Sequence, residues 1–392
     1  MYNNFNYYTP TRVIFGKDTE SQCGALIQQY HVHKVLIHYG GHSAVKSGLI
    51  DRVKHSLDEA GIMHAELGGV MPNPRLAEVY QGIEFGRKEQ VDFILAVGGG
   101  SVIDSAKAIG YGLANDGDVW DFYMLKRKPE RIIPVGVILT IAAAGSEMSN
   151  STVLTNEDGM IKRGYTNDLA RPVFAIMNPE LTMTLPDYQT ACGCTDILMH
   201  TEERYFTPGG NMELTDGIAE ALMRTVIANA RKLKQDPKNY DARAEIMWAG
   251  SLSHNGLTGC GGDGGDWACH GLEHELSALF DVAHGAGLAA VWGTWARYVY
   301  QDCLPRFVSF ARNVMQVAPA DTDEETALRG IEAMESFYRK IGMPTSLKEL
   351  GISPTAEQMQ FMAHQCAELS GGHRGRAKVL YEADMLKIYQ NA

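Results

Sequence analysis

Val91-Asp-Phe-Ile-Leu-Ala-Val97 runs straight into Gly98-Gly99-Gly100-Ser101 and continues as Val-Ile-Asp104-Ser-Ala-Lys107. A short, almost wholly apolar run reads as a strand buried on both faces, and such strands belong to parallel sheets. The residues after the glycines carry a helical pattern, so the stretch is a strand, a tight turn and a helix. Glycines let the backbone approach a ligand closely, and a helix N-terminus offers unpaired N–H groups with a partial positive charge. A phosphate site is the functional reading, and a plain βα turn is the structural alternative. The spacing is not GxGxxG, so the usual dinucleotide fingerprint is not met.

Working outward, Lys34-Val-Leu-Ile-His-Tyr39 ends in a second glycine turn, Gly40-Gly41-His42-Ser43. Two more strand candidates, 132–140 and 173–177, alternate with helical stretches, which argues for a parallel sheet with helices on both faces. After Leu185-Pro186 the strand signals stop, and helical spacing dominates 212–233, 242–257, 324–341 and 356–369. Two domains are expected: residues 1–186 as an α/β dinucleotide-binding domain and residues 187–392 as an all-helical domain. Gly259–Gly265 and Ser370–Gly375 read as loops, the latter a flexible one because it follows a helix.

The chain of 392 residues is 45% hydrophobic and 21% charged, too apolar for disorder. Its 35 Lys and Arg against 47 Asp and Glu give a net charge of -12, which speaks against nucleic-acid binding and for small soluble substrates. Lys126-Arg127-Lys128 reads as a solvated turn. Seven cysteines, sparse and without a CxxC, read as free thiols of a reducing compartment. The first residues lack an apolar signal segment, and no run of about 18 apolar residues occurs, so no membrane span and a cytoplasmic location are expected.

In the second half, Asp196 and His200 stand at i and i+4 on one helix face. His270 and His274 repeat that spacing, and His284 follows. In one straight helix His270 and His284 would lie about 21 Å apart, so they can share an ion only if the chain turns back, near Phe280-Asp281-Val282. One carboxylate with two or three imidazoles suits Fe2+ or Zn2+ and leaves room for a substrate oxygen. Spacing alone does not choose between His270 and His274. His254 and the remaining histidines have no partner at ligand spacing and read as structural.

These residues carry a resemblance. The chain resembles the iron-containing (group III) alcohol dehydrogenase family, and most closely its branch of NAD(P)H-dependent butanol dehydrogenases and aldehyde reductases. The similarity runs nearly end to end. It takes in Thr9-Pro10-Thr11-Arg12-Val13-Ile14-Phe15-Gly16, Pro72-Asn73-Pro74, the Gly98–Lys107 motif, and Gly145-Ser146-Glu147. It continues through Thr184-Leu185-Pro186, Asp196-x3-His200-x2-Glu203, Asp266-Trp267-x2-His270-x3-His274-Glu275-Leu276 and His284-Gly285. The resemblance implies a dehydroquinate synthase-like fold, an α/β dinucleotide domain followed by a helical metal-binding domain, with the active site in the cleft.

It also implies that Asp196, His200, His270 and His284 hold the metal, Fe2+ or Zn2+, and that His274 is the catalytic residue beside nicotinamide and substrate. For NADP or NAD it implies pyrophosphate contacts at Gly98, Gly99, Gly100, Ser101 and Asp104. It places Gly40, Gly41 and Ser43 around the adenosine ribose, with Asn73 nearby. Thr140, Ser149 and Leu181 line the adenine and nicotinamide end, and Lys162 lies close to the ribose. The turn 40–43 lacks the carboxylate that would repel a 2′-phosphate, which permits NADP. The expected reaction is hydride transfer between NAD(P)H and a small aldehyde or primary alcohol, with His274 relaying a proton. The expected assembly is a homodimer, with the Asn4–Phe15 segment adding an edge strand across it. The alternative is a dehydroquinate synthase-like or glycerol dehydrogenase-like enzyme using NAD and a metal on another substrate. Few basic residues occupy 196–300, which favours a neutral carbonyl. Two features depart from the family's habit: Ala142 and Ala144 stand where Pro and Thr are common, and the Gly259–Gly265 loop is unusually glycine-rich.

Overall fold

A computed structural model describes residues 3–208 and 212–392. The N-terminal unit, Thr9–Thr184, is built on a six-stranded sheet. Its strands are β1 (Arg12–Phe15), β2 (Lys34–Tyr39), β3 (Met63–Leu67), β4 (Phe93–Gly98), β5 (Val135–Leu139) and, after a hairpin, β8 (Phe174–Met177). The spatial order is β1-β8-β5-β4-β2-β3, every neighbour parallel. Every residue of β4, β5 and β8 is buried, as central strands covered on both faces require. One core packs Val35, Ile37, Phe93, Leu95, Ile138 and Ile176 against the Leu49–Glu59 helix.

Strand order fixes where a ligand can sit. From β2 the chain steps outward to β3, then returns to the other side of β2 as β4. The carboxyl ends of β2 and β4 therefore flank the switch point, the crevice where open α/β sheets bind ligands. Gly40-Gly41 follows β2 and Gly98–Ser101 follows β4, so the two glycine turns flank one crevice.

Four strands of this unit lie outside the apolar runs. β1 and β3 are the sheet edges, half exposed, and so need no continuous apolar run. β6 (Ser151–Asn156) and β7 (Ile161–Thr166) form a separate antiparallel hairpin whose turn is made by Gly159 and Met160 at positive φ.

The second unit comprises Leu185–Ala392 together with the residues up to Tyr8. The division thus falls between Thr184 and Leu185, and the first residues group with the helices rather than with the sheet. The physical cause is local: Asn3 donates through its backbone N–H to Gly261 O at 3.0 Å and through its side chain to Gly262 O at 3.1 Å. The long helices are Asp187–Tyr205, Glu213–Gln235, Tyr240–His254, Ala268–Phe280, His284–Val299, Asp323–Ile341, Ala356–Glu368 and Glu382–Asn391. Among its described residues the unit is helical apart from a two-residue antiparallel pair, β9 (His373–Arg374) with β10 (Leu380–Tyr381).

The segment around β9 differs from the flexible loop expected there. Asp266 Oδ2 accepts from the N–H groups of Arg376 at 2.6 Å and Ala377 at 2.8 Å, and Arg374 Nη1 donates to Trp267 O at 3.2 Å. The loop is thereby pinned to the start of the Ala268–Phe280 helix. Among the described residues no helix is long and apolar enough to cross a membrane.

Candidate functional site

Asp196 and His200 face the same side of the Asp187–Tyr205 helix, with His200 Nδ1 3.4 Å from Asp196 Oδ1. His270 lies in the first turn of the Ala268–Phe280 helix. That helix stops at Asp281, whose φ of 52° is left-handed and turns the chain back, and His284 opens the next helix. Gly285 then lets this next helix come against the Asp187–Tyr205 helix: a Cβ there would lie 2.1 Å from the Cys192 backbone oxygen. The result is that donor atoms of Asp196, His270 and His284 lie within 4.8 Å of one another. Asp196 Oδ1 is 3.7 Å from His270 Nε2 and 3.6 Å from His284 Nε2. His200 stands at the side of this trio, its ring 4.6 Å from that of His270. His274 stands on the other side, its ring 5.7 Å from His284, in a second grouping with Glu273 and His284.

The donor set fits a metal ion on the structure's own terms. Asp196 Oδ1, His200 Nδ1 and His270 Nε2 are buried with no hydrogen-bond partner, an arrangement costing kilocalories unless something binds them. Burial opposes charge on His270, yet the carboxylates of Asp196 and Glu203 outweigh it and push its pKa up to about 9. The surroundings therefore favour a positive charge at that point. His200 is driven the other way, well below the usual imidazole range, by burial and by the nearby His254 and His270.

Three residues of this site escaped the sequence reading in part or whole. Glu203 Oε1 accepts from both the backbone N–H and the Nδ1 of His270, at 2.9 and 3.0 Å. That bond leaves the Nε2 lone pair free for an ion. Glu203 stood in the quoted motif without a role. Glu273, wholly buried, bonds His284 Nδ1 and receives the Ser277 hydroxyl. Its signal was a carboxylate three residues after His270, one helical turn along the same helix. His254 packs its ring 4.0 Å from that of His200. No spacing could reveal that pair, because the two residues lie on different helices.

The glycine-rich loop has a local purpose. Arg204 Nη1 donates to His200 O at 2.6 Å and to Ser253 O at 3.1 Å, and its guanidinium lies over the Trp267 ring at 4.7 Å. A Cβ at Gly259 would press on Arg204 at 3.0 Å, and one at Gly265 would meet the Trp267 indole nitrogen at 2.7 Å. The loop stays small to fit around these two side chains beside His200.

In the α/β unit, Gly99 precedes the Gly100–Ala114 helix, whose free N–H groups open onto the switch point. A Cβ at Gly98 would strike Val102 at 2.5 Å, so the turn is tight because glycine permits it. Ser43 starts a four-residue helix after Gly41. Asn73 and Lys162, 89 residues apart, meet: Lys162 Nζ donates to Asn73 Oδ1 at 3.0 Å. The Thr140 N–H donates to Gly98 O at 3.0 Å, tying the end of β5 to the glycine turn. Leu181 packs on the core beneath. Asp104 and Ser149 turn inward. The Asp104 carboxylate accepts from Ser146 Oγ at 2.5 Å and Val153 N at 3.0 Å, and Ser149 O accepts from the buried Lys107.

Comparison with known proteins returns two family models that together span the chain. The one described as iron-containing alcohol dehydrogenase matches residues 10–179, and the C-terminal model of the Fe-containing alcohol dehydrogenase family matches 190–392. The chain is 40% identical over 390 residues to NADH-dependent butanol dehydrogenase A of Clostridium acetobutylicum, covering 99% of each. It is 35% identical to the NADPH-dependent aldehyde reductase YqhD of Escherichia coli, covering 89% of this chain and 90% of that one. The crystal structure of NADH-dependent butanol dehydrogenase A from Thermotoga maritima superposes with a TM-score of 0.95 at 38% identity, covering 99% and 98% of the two chains.

Proposed function

The chain belongs to the iron-containing alcohol dehydrogenase family, and from that premise we propose that it reduces small neutral aldehydes to primary alcohols with NADH or NADPH. The observation that carries the reading is the convergence of Asp196, His270 and His284 on one point, where the buried Asp196 Oδ1 and His270 Nε2 have no hydrogen-bond partner. Asp196, His200, His270 and His284 are the residues that would hold the ion. A carboxylate with imidazoles and no thiolate suits Fe2+. When bound, the ion supplies Lewis-acid polarisation of a carbonyl oxygen and the nicotinamide supplies the hydride.

The protein's own residues do the rest. The N–H groups at the start of the Gly100–Ala114 helix receive the pyrophosphate, and the Asn73–Lys162 pair offers polar groups to a ribose. Glu203 and Glu273 keep a proton on Nδ1 of His270 and His284, so that Nε2 of each stays available. His274, beside His284 yet outside the trio that includes Asp196, is placed to pass a proton toward the alcohol oxygen. Burial of Asp196, His200 and His270 keeps water from competing for these groups.

The test is an iron-loaded preparation given butyraldehyde with NADH and, separately, NADPH. Consumption of the reduced nicotinamide is expected, with His270→Ala losing both metal and activity and His274→Ala losing activity while keeping metal. Full activity in metal-free His270→Ala would overturn the scheme. A homodimer is part of the same proposal. β1 is a sheet edge paired on one side by β8, with Tyr8 52% and Phe15 40% exposed along the same segment. Sedimentation showing a monomer would refute it. Seven free cysteines, six of them buried, suit a reducing cytoplasm.

A further inference from the structure

Lys107 is wholly buried, and its ammonium gathers one loop around itself. Nζ donates to Ser146 O at 2.7 Å, Ser146 Oγ at 2.8 Å, Ser151 O at 2.8 Å and Ser149 O at 3.1 Å. Three backbone carbonyls of a single six-residue segment thus converge on one cation. A buried ammonium without such partners would be prohibitively costly, so the loop's path and the charge depend on each other. Asp104, one helical turn earlier, takes the Ser146 hydroxyl and the Val153 N–H, and its backbone oxygen takes the Thr152 hydroxyl at 2.9 Å. The same helix face therefore binds the chain from Ser146 to Val153.

The residues just before that segment, 141–144, form the wall of the glycine turn. A Cβ on Gly99 would meet Ile141 at 3.0 Å, and one on Gly100 would meet Ala144 Cβ at 3.0 Å. Thr140 N–H bonds Gly98 O. The contacts close a ring: glycine turn, helix to Lys107, loop 146–151, then back through Ala144 and Ile141 to the turn. We propose that Lys107 is a positioning residue for the dinucleotide. By holding the 146–151 segment, it fixes how the 141–144 wall bears on the glycine turn and so the aim of the helix N–H groups that receive the pyrophosphate. The inference rests on the nucleotide reading above and assigns Lys107 no contact with the ligand.

The experiment measures equilibrium binding of NADH, ADP-ribose and AMP to purified Lys107→Met and Ser146→Ala alongside the wild type, with metal content and melting temperature recorded. Loss of the ammonium is expected to weaken NADH and ADP-ribose alike by roughly tenfold or more, the scale of a lost charged hydrogen bond. AMP, which lacks the pyrophosphate, should change less than twofold, and metal content should stay at the wild-type level. Under turnover the KM for NADH should rise while the KM for the aldehyde does not. A general loosening of the fold would weaken all three ligands together, and that outcome refutes the proposal. Ser146→Ala removes one acceptor of Lys107 and one donor to Asp104 but leaves three carbonyls on the ammonium, and should show a smaller selective loss. If Lys107→Met does not fold, an unchanged NADH affinity in Ser146→Ala overturns the idea. Wild-type protein that binds neither NADH nor ADP-ribose would overturn the dinucleotide reading itself. Wild-type binding with unaltered variants overturns only the role of Lys107.

Discussion

Gly285→Ala tests whether a single missing methyl group assembles the metal centre. The added Cβ would lie 2.1 Å from the Cys192 backbone oxygen, where ordinary van der Waals contact begins at 3.4 Å. The obstacle is a helix carbonyl, which cannot swing aside as a side chain would. The two helices must separate by about 1.3 Å, the difference between those distances, or the His284 turn must unwind. His284 Nε2 now stands 3.6 Å from Asp196 Oδ1, close to the separation of about 3.4 Å expected for two donors on one ion. Separation along that line would carry it to roughly 5 Å, beyond simultaneous coordination. Overpacking of this kind costs about 1–3 kcal/mol, and a backbone obstacle puts it at the upper end. In a unit of this size about 3 kcal/mol corresponds to a fall of roughly 6–12 °C in melting temperature. The assay is calorimetry on metal-free protein, followed by metal analysis after loading with Fe2+. Gly217→Ala is the control, because a Cβ there meets nothing within 4 Å; it should be neutral or stabilising. A Gly285→Ala protein that melts with the wild type and still holds one ion per chain would refute the argument.

Glu273→Gln removes the charge that orients His284 and should weaken metal affinity by roughly 10–100-fold, read by competition with a chelator. His254→Ala leaves a gap beside the His200 ring and should lower metal affinity in the same assay; wild-type affinity would show that His254 only fills space. Burial holds the Lys107 pKa down to about 8, opposed by Asp104 and Glu147, from a usual 10.5. The penalty is fully present below pH 8 and is relieved as pH rises toward 10.5, because the folded chain releases the proton first. Wild-type stability relative to Lys107→Met should therefore rise by roughly 3 kcal/mol across that window in denaturant titrations. A flat difference would mean that the ammonium is solvated or fully compensated.

The order of elements was legible because it is written in local pattern. The apolar run of β4, the glycines after it and the helical period beyond are short-range features, so residues 91–107 suffice to read them. The i, i+4 spacing put Asp196 and His200 on one face for the same reason. Of the edge strands, β1 was legible only through the family resemblance and β3 not at all, since half-exposed positions tolerate polar residues and blur the pattern. The centre itself depended on contacts between segments far apart in the chain: the left-handed Asp281, the Gly285 approach to Cys192, Glu203 beneath His270 and His254 against His200. The sequence by itself determined which helices carry the ligands and which turns suit a phosphate. Only the tertiary structure decided which donors meet at one point and which carboxylates orient them. Periodicity fixes the face on which a side chain lies, whereas helix packing fixes the neighbour that it meets.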